Sequence, residues 1–255
     1  MSAAGLLRTV REIGLNPRRL GLVTQLPRFL RDLKRWKRQG GRVSSMYPVL
    51  SDWSTQAGSA SGAYFHQDML VARRIYEARP QRHVDVGSRF DGFVAHVAVF
   101  REIDVLDIRP MESTIRNVRF IQADLMQTSP ELVASTDSLS CLHALEHFGL
   151  GRYGDPIDPG GHLKGFESLI NILKPGAAFY LSFPIGRPMV EFNAHRVFGS
   201  DDVLSWPGSE LLRLERFDYV DDRGALHEDV AVAEVRTQCA DLKHGCGIYT
   251  FKRRQ

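Results

Sequence analysis

The sequence predicts a doubly wound α/β fold, a mostly parallel sheet with an antiparallel C-terminal hairpin, preceded by a basic helical N-terminal arm. Three observations carry this. Strand-like and helix-like segments alternate from Val84 to Phe183. A glycine turn follows the first short apolar strand, in Val84-Asp85-Val86-Gly87. Two longer strand-like stretches, Leu211 to Tyr219 and Gly247 to Phe251, close the chain. With 255 residues and 43% hydrophobic content, one full core with an appendage is affordable, so the expected division is an arm and linker over 1–62 and a catalytic domain over 63–255.

Residues 1–43 hold eleven Lys/Arg against Glu12 and Asp32, a balance of +9 in a chain whose total is +3, so the remainder is acidic. Leu26, Phe29, Leu30, Leu33 and Trp36 recur at helical spacing, with Arg28, Arg31, Lys34, Arg35, Lys37 and Arg38 between them. This is an amphipathic basic helix. Either it packs on the catalytic domain with a solvated cationic face, or it makes a peripheral contact with an anionic membrane or acidic polymer. Ser51 to Gly62 is rich in Ser, Gly and Ala and reads as a linker or a loop over the site.

Tyr64 to Ala78 is helical, with Met69, Leu70, Ile75 and Tyr76 on one side. Next come strand Val84–Val86, helix Phe93–Phe100, strands Asp104–Ile108, Arg119–Gln122 and Ser138–Leu142, helix Leu163–Leu173 and strand Ala177–Phe183. A polar connection of more than twenty residues separates the last two strands. Cys141, Cys239 and Cys246 are few, odd in number and unpatterned, which suits a reducing compartment and offers no disulfide framework. Charged residues near the N-terminus and the lack of an 18-residue apolar run lead to the expectation of a cytoplasmic protein. Aromatics are not interleaved with Lys/Arg as nucleic-acid binding requires.

Asp107 lies 20 residues beyond Gly87, where an acid at the next strand tip takes two ribose hydroxyls, and Asp124 follows one strand later. Arg89 stands where a second glycine would be. A pyrophosphate needs bare backbone amides against it, so a dinucleotide is disfavoured and S-adenosylmethionine, which has no phosphate, is preferred.

These segments resemble, in order and spacing over residues 64 to 255, the class I S-adenosylmethionine-dependent methyltransferases, a Rossmann-like superfamily. Asp85 and Gly87, with the loop residues Ser88 and Arg89, match its first motif, and Asp107-Ile108 its ribose-binding acid. Asp124 matches the acid that bonds the adenine amino group, with the Leu125 amide beside it. Leu142 to His147 resembles the close of the fourth strand, placing His143 in the cofactor site, and Leu173-Lys174-Pro175-Gly176 the turn into the fifth. More narrowly, Asp85 to Pro110 with His143 to Asp158 is similar to an uncharacterised methyltransferase-like family associated with polysaccharide biosynthesis. Two departures are Arg89 and the lack of an Asn/Asp-Pro-Pro-Tyr signature after the fourth strand, which lowers DNA and amide targets.

The resemblance implies S-adenosylmethionine as cofactor and a small-molecule or glycan acceptor. His147 and Glu146, emerging at a strand end, are candidate bases for a hydroxyl, with His195 in reserve. They also serve as a plain turn cap, and His143-Ala144-Leu145-Glu146-His147 spells the H-x-x-E-H zinc-hydrolase motif if helical. Asp155, Asp158 and His162 are either sugar or Mg²⁺ ligands or ordinary turn chemistry; Arg196 is a possible clamp for an anionic acceptor. The competing functions are a methyltransferase acting on a sugar or other polar hydroxyl, a non-catalytic scaffold of the same fold, and a zinc hydrolase.

Overall fold

The computed structural model describes residues 17–55, 57–58, 60–127 and 129–255; the first sixteen residues of the predicted arm lie outside them. The chain divides into two compact units, Met1–Ser59 and Ala60–Gln255.

In the first unit a 3₁₀ stretch, Pro17–Gln25, runs into helix α1, Leu26–Arg38. Pro27 sits in the first turn, where a missing N–H costs nothing. Arg35, Lys37 and Arg38 in the last turn face the negative end of the helix dipole. None of the α1 side chains is buried. The Arg28 guanidinium covers the Trp53 ring at 4.6 Å.

The second unit opens with α2, Ala63–Ala78, and then builds the sheet. Its strands are β1 (His83–Val86), β2 (Ile103–Asp107), β3 (Val118–Gln122), β4 (Thr136–Leu142) and β5 (Leu173–Ile185). A π-turn at Phe90–Val94 leads into the short α3, Ala95–Ala98, and α4 is Gly161–Ile172. A small hairpin follows, β6 (Met189–Glu191) with β7 (His195–Val197), and then β8 (Leu212–Val220), β9 (Leu226–His227), α5 (Val232–Ala240) and β10 (Gly245–Arg253). The main sheet runs β3-β2-β1-β4-β5-β10-β8-β9. Strands β1 to β5 are parallel, whereas β10 lies antiparallel to both β5 and β8.

The sheet is buried on both faces, as parallel sheets must be. Leu169 and Phe166 of α4 pack with Val84, Val86, Leu139 and Phe179 on one side. Val71 and Ile75 of α2 pack with Phe93, Val97, Val105 and Ile248 on the other. The expected order of strands and helices holds throughout. The sequence pattern did not disclose the β6–β7 hairpin, nor that the polar connection before β10 contains β9 and α5. Both depend on long-range packing, since such short segments lack a readable period. Among the described residues, no helix is long and apolar enough to cross a membrane.

Strand order reverses between β1 and β4, because the chain winds outward to β3 and then returns to start β4 on the other side of β1. Such a switch point leaves a crevice outside the carboxyl ends of the strands.

Candidate functional site

Gly87 ends β1 with φ +71°, the left-handed region that favours glycine, and a Cβ there would come within 2.8 Å of the Ala144 Cβ. The turn therefore lies against the end of β4. Beside it is a crevice of about 510 Å³. Its walls include Gly87, Asp107, Ile108, Asp124, Leu125 and His143, six of the nine residues predicted for the cofactor. Ser88 and Arg89 line an adjoining crevice of about 1520 Å³. The two share Gly87, Arg109, His143, His147 and Tyr153, so they adjoin across these residues.

Asp85 does not face it. This side chain is fully buried and accepts hydrogen bonds from the Ser88 amide (3.1 Å), the Ser88 hydroxyl (2.8 Å) and the Ser140 hydroxyl (2.5 Å). Its role is to hold the turn from below, and burial pushes its carboxyl up to about 7. The Ser88 hydroxyl is spent on the same carboxylate. Arg89 is exposed and paired with Asp91 at 2.7 Å, outside the turn that it was expected to obstruct.

Asp107 sits at the tip of β2 with both oxygens engaged by Arg109. The Arg109 amide and Nε donate to Oδ1 at 2.8 and 3.0 Å, and Nη2 to Oδ2 at 2.6 Å. The same guanidinium stacks over Tyr153 at 4.4 Å. Arg109 and Tyr153 were not singled out from the sequence; an arginine two residues after the ribose acid is the one local signal for the pair. Asp124 Oδ1 accepts the Met126 amide at 2.9 Å, which shapes the loop after β3 around an apolar slot of Ile108, Leu125, Met126 and Phe148.

His143 to His147 is not a helix. His143 takes φ +51° at the end of β4, and Leu145–His147 is a single 3₁₀ turn. Both ring nitrogens of His143 are engaged, Nδ1 with Glu146 Oε1 at 2.9 Å and Nε2 with Cys246 Sγ at 3.3 Å. Burial opposes its charging, but the Cys246 sulfur and the Glu146 carboxylate overcome this and hold the imidazole above its ordinary range. The zinc reading of H-x-x-E-H fails on this geometry, because two ligands on one helical face with free ring nitrogens are what that chemistry needs.

Glu146 is 1% exposed, yet it borders the larger crevice, and its Oε2 has no hydrogen-bond partner within the protein. Burial raises its carboxyl, but His143 outweighs burial and keeps it below the usual range. The neighbouring His147 Nδ1 lies 2.7 Å from the Ala194 carbonyl on the β6–β7 hairpin. A carbonyl only accepts, so Nδ1 carries the proton and Nε2 keeps its lone pair. Burial lowers the affinity of His147 for a second proton. His195, at the start of β7, also borders this crevice, 3.9 Å from Glu191.

The remaining candidates hold loops. Arg196 is 4% exposed and donates to the carbonyls of Glu146 (3.2 Å), Phe148 (2.7 Å), Pro159 (3.2 Å) and Asp158 (3.5 Å), so it cannot clamp an acceptor. Asp155 accepts the amides of Gly149, Gly151 and Tyr153; Asp158 accepts the Gly160 amide and pairs with Lys164. His162 packs against Phe198 and Trp206, and burial pushes it down to about 4. These last three follow turn and packing chemistry.

Against solved structures, the chain is similar to the N-methyltransferase NodS from Bradyrhizobium japonicum WM9 in complex with S-adenosyl-L-homocysteine. The TM-score is 0.51 at 12% identity, over 76% of this chain and 89% of that one. It is similar to the [4+2]-cyclase SpnF at TM-score 0.50 and 14% identity, over 77% and 84%. It is also similar to the YcgJ protein from Bacillus subtilis at TM-score 0.50 and 12% identity, over 74% and 99%. The fold is that of the class I methyltransferases. A family profile described as "Caenorhabditis protein of unknown function, DUF268" matches residues 96–204. Among curated proteins, none matches.

Proposed function

We propose that the protein is an S-adenosylmethionine-dependent methyltransferase that acts on a hydroxyl acceptor. The carrying observation is a pair of adjoining crevices: Gly87, Asp107 and Asp124 line the first, and His147 borders both. The residues suit the cofactor: a turn that passes close to the β4 end, an acid at the β2 tip for the ribose hydroxyls, and an apolar slot beside Asp124 for the adenine. When bound, the cofactor supplies an electrophilic methyl group on a sulfonium.

The protein's part is orientation and proton transfer. Holding the acceptor oxygen in line with the methyl carbon provides much of the rate. His147 Nε2 is the proton acceptor, its tautomer fixed by the Ala194 carbonyl. The Glu146 carboxylate borders the same crevice, with its Oε2 buried and without a hydrogen-bond partner in the protein. Arg109 must turn away from Asp107 before ribose hydroxyls reach that carboxylate. Support for a glycan as the acceptor comes from the sequence resemblance alone.

SpnF, a [4+2]-cyclase by its description, has a similar fold, so the fold by itself does not dictate methyl transfer. Isothermal titration with S-adenosylmethionine and S-adenosylhomocysteine tests the assignment. We expect saturable binding of both by the native protein and at least roughly tenfold weaker binding by Asp107→Ala, the loss of about 1.4 kcal/mol of charge-assisted hydrogen bonding. Absence of binding by the native protein would overturn it in favour of a scaffold.

A further inference from the structure

Not every cation around the acceptor end is ion-paired. Four cations border the larger crevice: Arg89, Arg109, Arg152 and Lys243. Arg89 is neutralised by Asp91 at 2.7 Å and Arg109 by Asp107 at 2.6 Å. Of the two acids on the same wall, Glu146 is matched by His143, and Asp68 accepts a hydrogen bond from the Gln67 side-chain amide at 3.1 Å. Among the described residues, no carboxylate lies within 4.0 Å of the Arg152 guanidinium or the Lys243 ammonium, although Asp222 accepts the Lys243 backbone amide at 3.0 Å, so Arg152 is the clearer unpaired cation.

Arg152 is also held in place. Its Nη1 donates to the Ala194 carbonyl at 3.0 Å and lies 3.5 Å from His147 Nδ1, while the guanidinium rests on the Tyr153 ring at 5.2 Å. One N–H of the fork is thus used to fix the group beside the proposed base, and the other donors stay available to a planar or tetrahedral oxyanion. The cation and Glu146 border the same crevice as His147. A neutral polyol would leave the guanidinium unanswered.

We propose that the acceptor is a hydroxyl compound that also carries an oxyanion, a carboxylate or a phosphate, and that Arg152, assisted by Lys243, receives that group. This rests on the methyltransferase reading, and takes from Arg196 the anion-binding role that the sequence suggested for it.

The test uses the full chain saturated with S-adenosylhomocysteine and titrated calorimetrically with glucuronate, glucose 6-phosphate and glucose, for the native protein and for Arg152→Ala and Lys243→Ala. The expected result is at least one acidic sugar binding tenfold or more tightly than glucose, with that margin erased by Arg152→Ala and reduced by Lys243→Ala. Glucuronate against glucose 6-phosphate tells carboxylate from phosphate. The inference is overturned if glucose binds as well as both acidic sugars, if none of the three binds, or if the margin survives in both variants. The preceding S-adenosylhomocysteine titration reports separately on the methyltransferase assignment, and neither substitution lies in the walls of the cofactor crevice.

Discussion

The two ends of the site are built differently. The cofactor end stands on strand tips, where Gly87, Asp107 and Asp124 are placed by the parallel sheet itself, and its acid is already satisfied by Arg109. The acceptor end stands on a 3₁₀ turn, a loop and the β6–β7 hairpin, and among the described residues it leaves one carboxylate oxygen without a hydrogen bond and the Arg152 and Lys243 side chains without an ion pair. Strand tips give a rigid frame for an invariant ligand, whereas loops tied down by side chains give a frame that a change of a few residues can re-specify.

The strongest test of that contrast is Arg196→Met, which removes the clasp between hairpin and loop. Four carbonyls, that of Glu146 buried and the others partly so, lose a charged donor, so chemical denaturation should show about 3–4 kcal/mol less stability, with order lost chiefly at the acceptor end. Equal stability of variant and native protein would show that the hairpin holds the loop by packing alone.

Asp85→Asn probes the frame beneath the cofactor end. An acid whose carboxyl is raised from 3.8 to about 7 binds its proton more tightly in the folded chain than in the unfolded one. Its favourable contribution is full below about pH 3.8 and is lost as the pH rises through about 7. The amide removes this dependence, so the variant should gain on the order of 4 kcal/mol at pH 8 relative to the native protein and almost nothing at pH 4. Parallel stability curves for the two proteins from pH 4 to 8 would break the argument.

The smallest effect expected is that of Arg109→Ala. Freeing Asp107 from a half-exposed partner should strengthen S-adenosylhomocysteine binding roughly fivefold, or about 1 kcal/mol, as read by titration. Weaker binding would mean instead that Arg109 and Tyr153 close over the ligand as part of its site.

How much of this was legible follows the same division. The strand order and the cofactor end could be read because a glycine turn and acids at successive strand ends are local features with fixed spacing. Asp85 was the exception. Strand alternation places it with His83 on the face where Ser138 and Ser140 of β4 lie, His83 Nδ1 meeting the Ser138 hydroxyl at 2.8 Å, and that shared polar phase was the available clue. The acceptor end depends on contacts that no local pattern announces. His147 meets a carbonyl 47 residues away and Arg196 one 50 residues away, so Arg152 gained a role and Arg196 lost one.

Strand β10 is wedged between β5 and β8, although it follows both in the chain. During synthesis, the β8–β9 pair therefore emerges with no strand to join it to the rest of the sheet, and β5 stays an open edge until β10 slides in. Assembly of this half of the sheet waits until β10 has been translated, and the exposed flank of β5 is where a nascent chain would be captured by a chaperone or by another copy of itself.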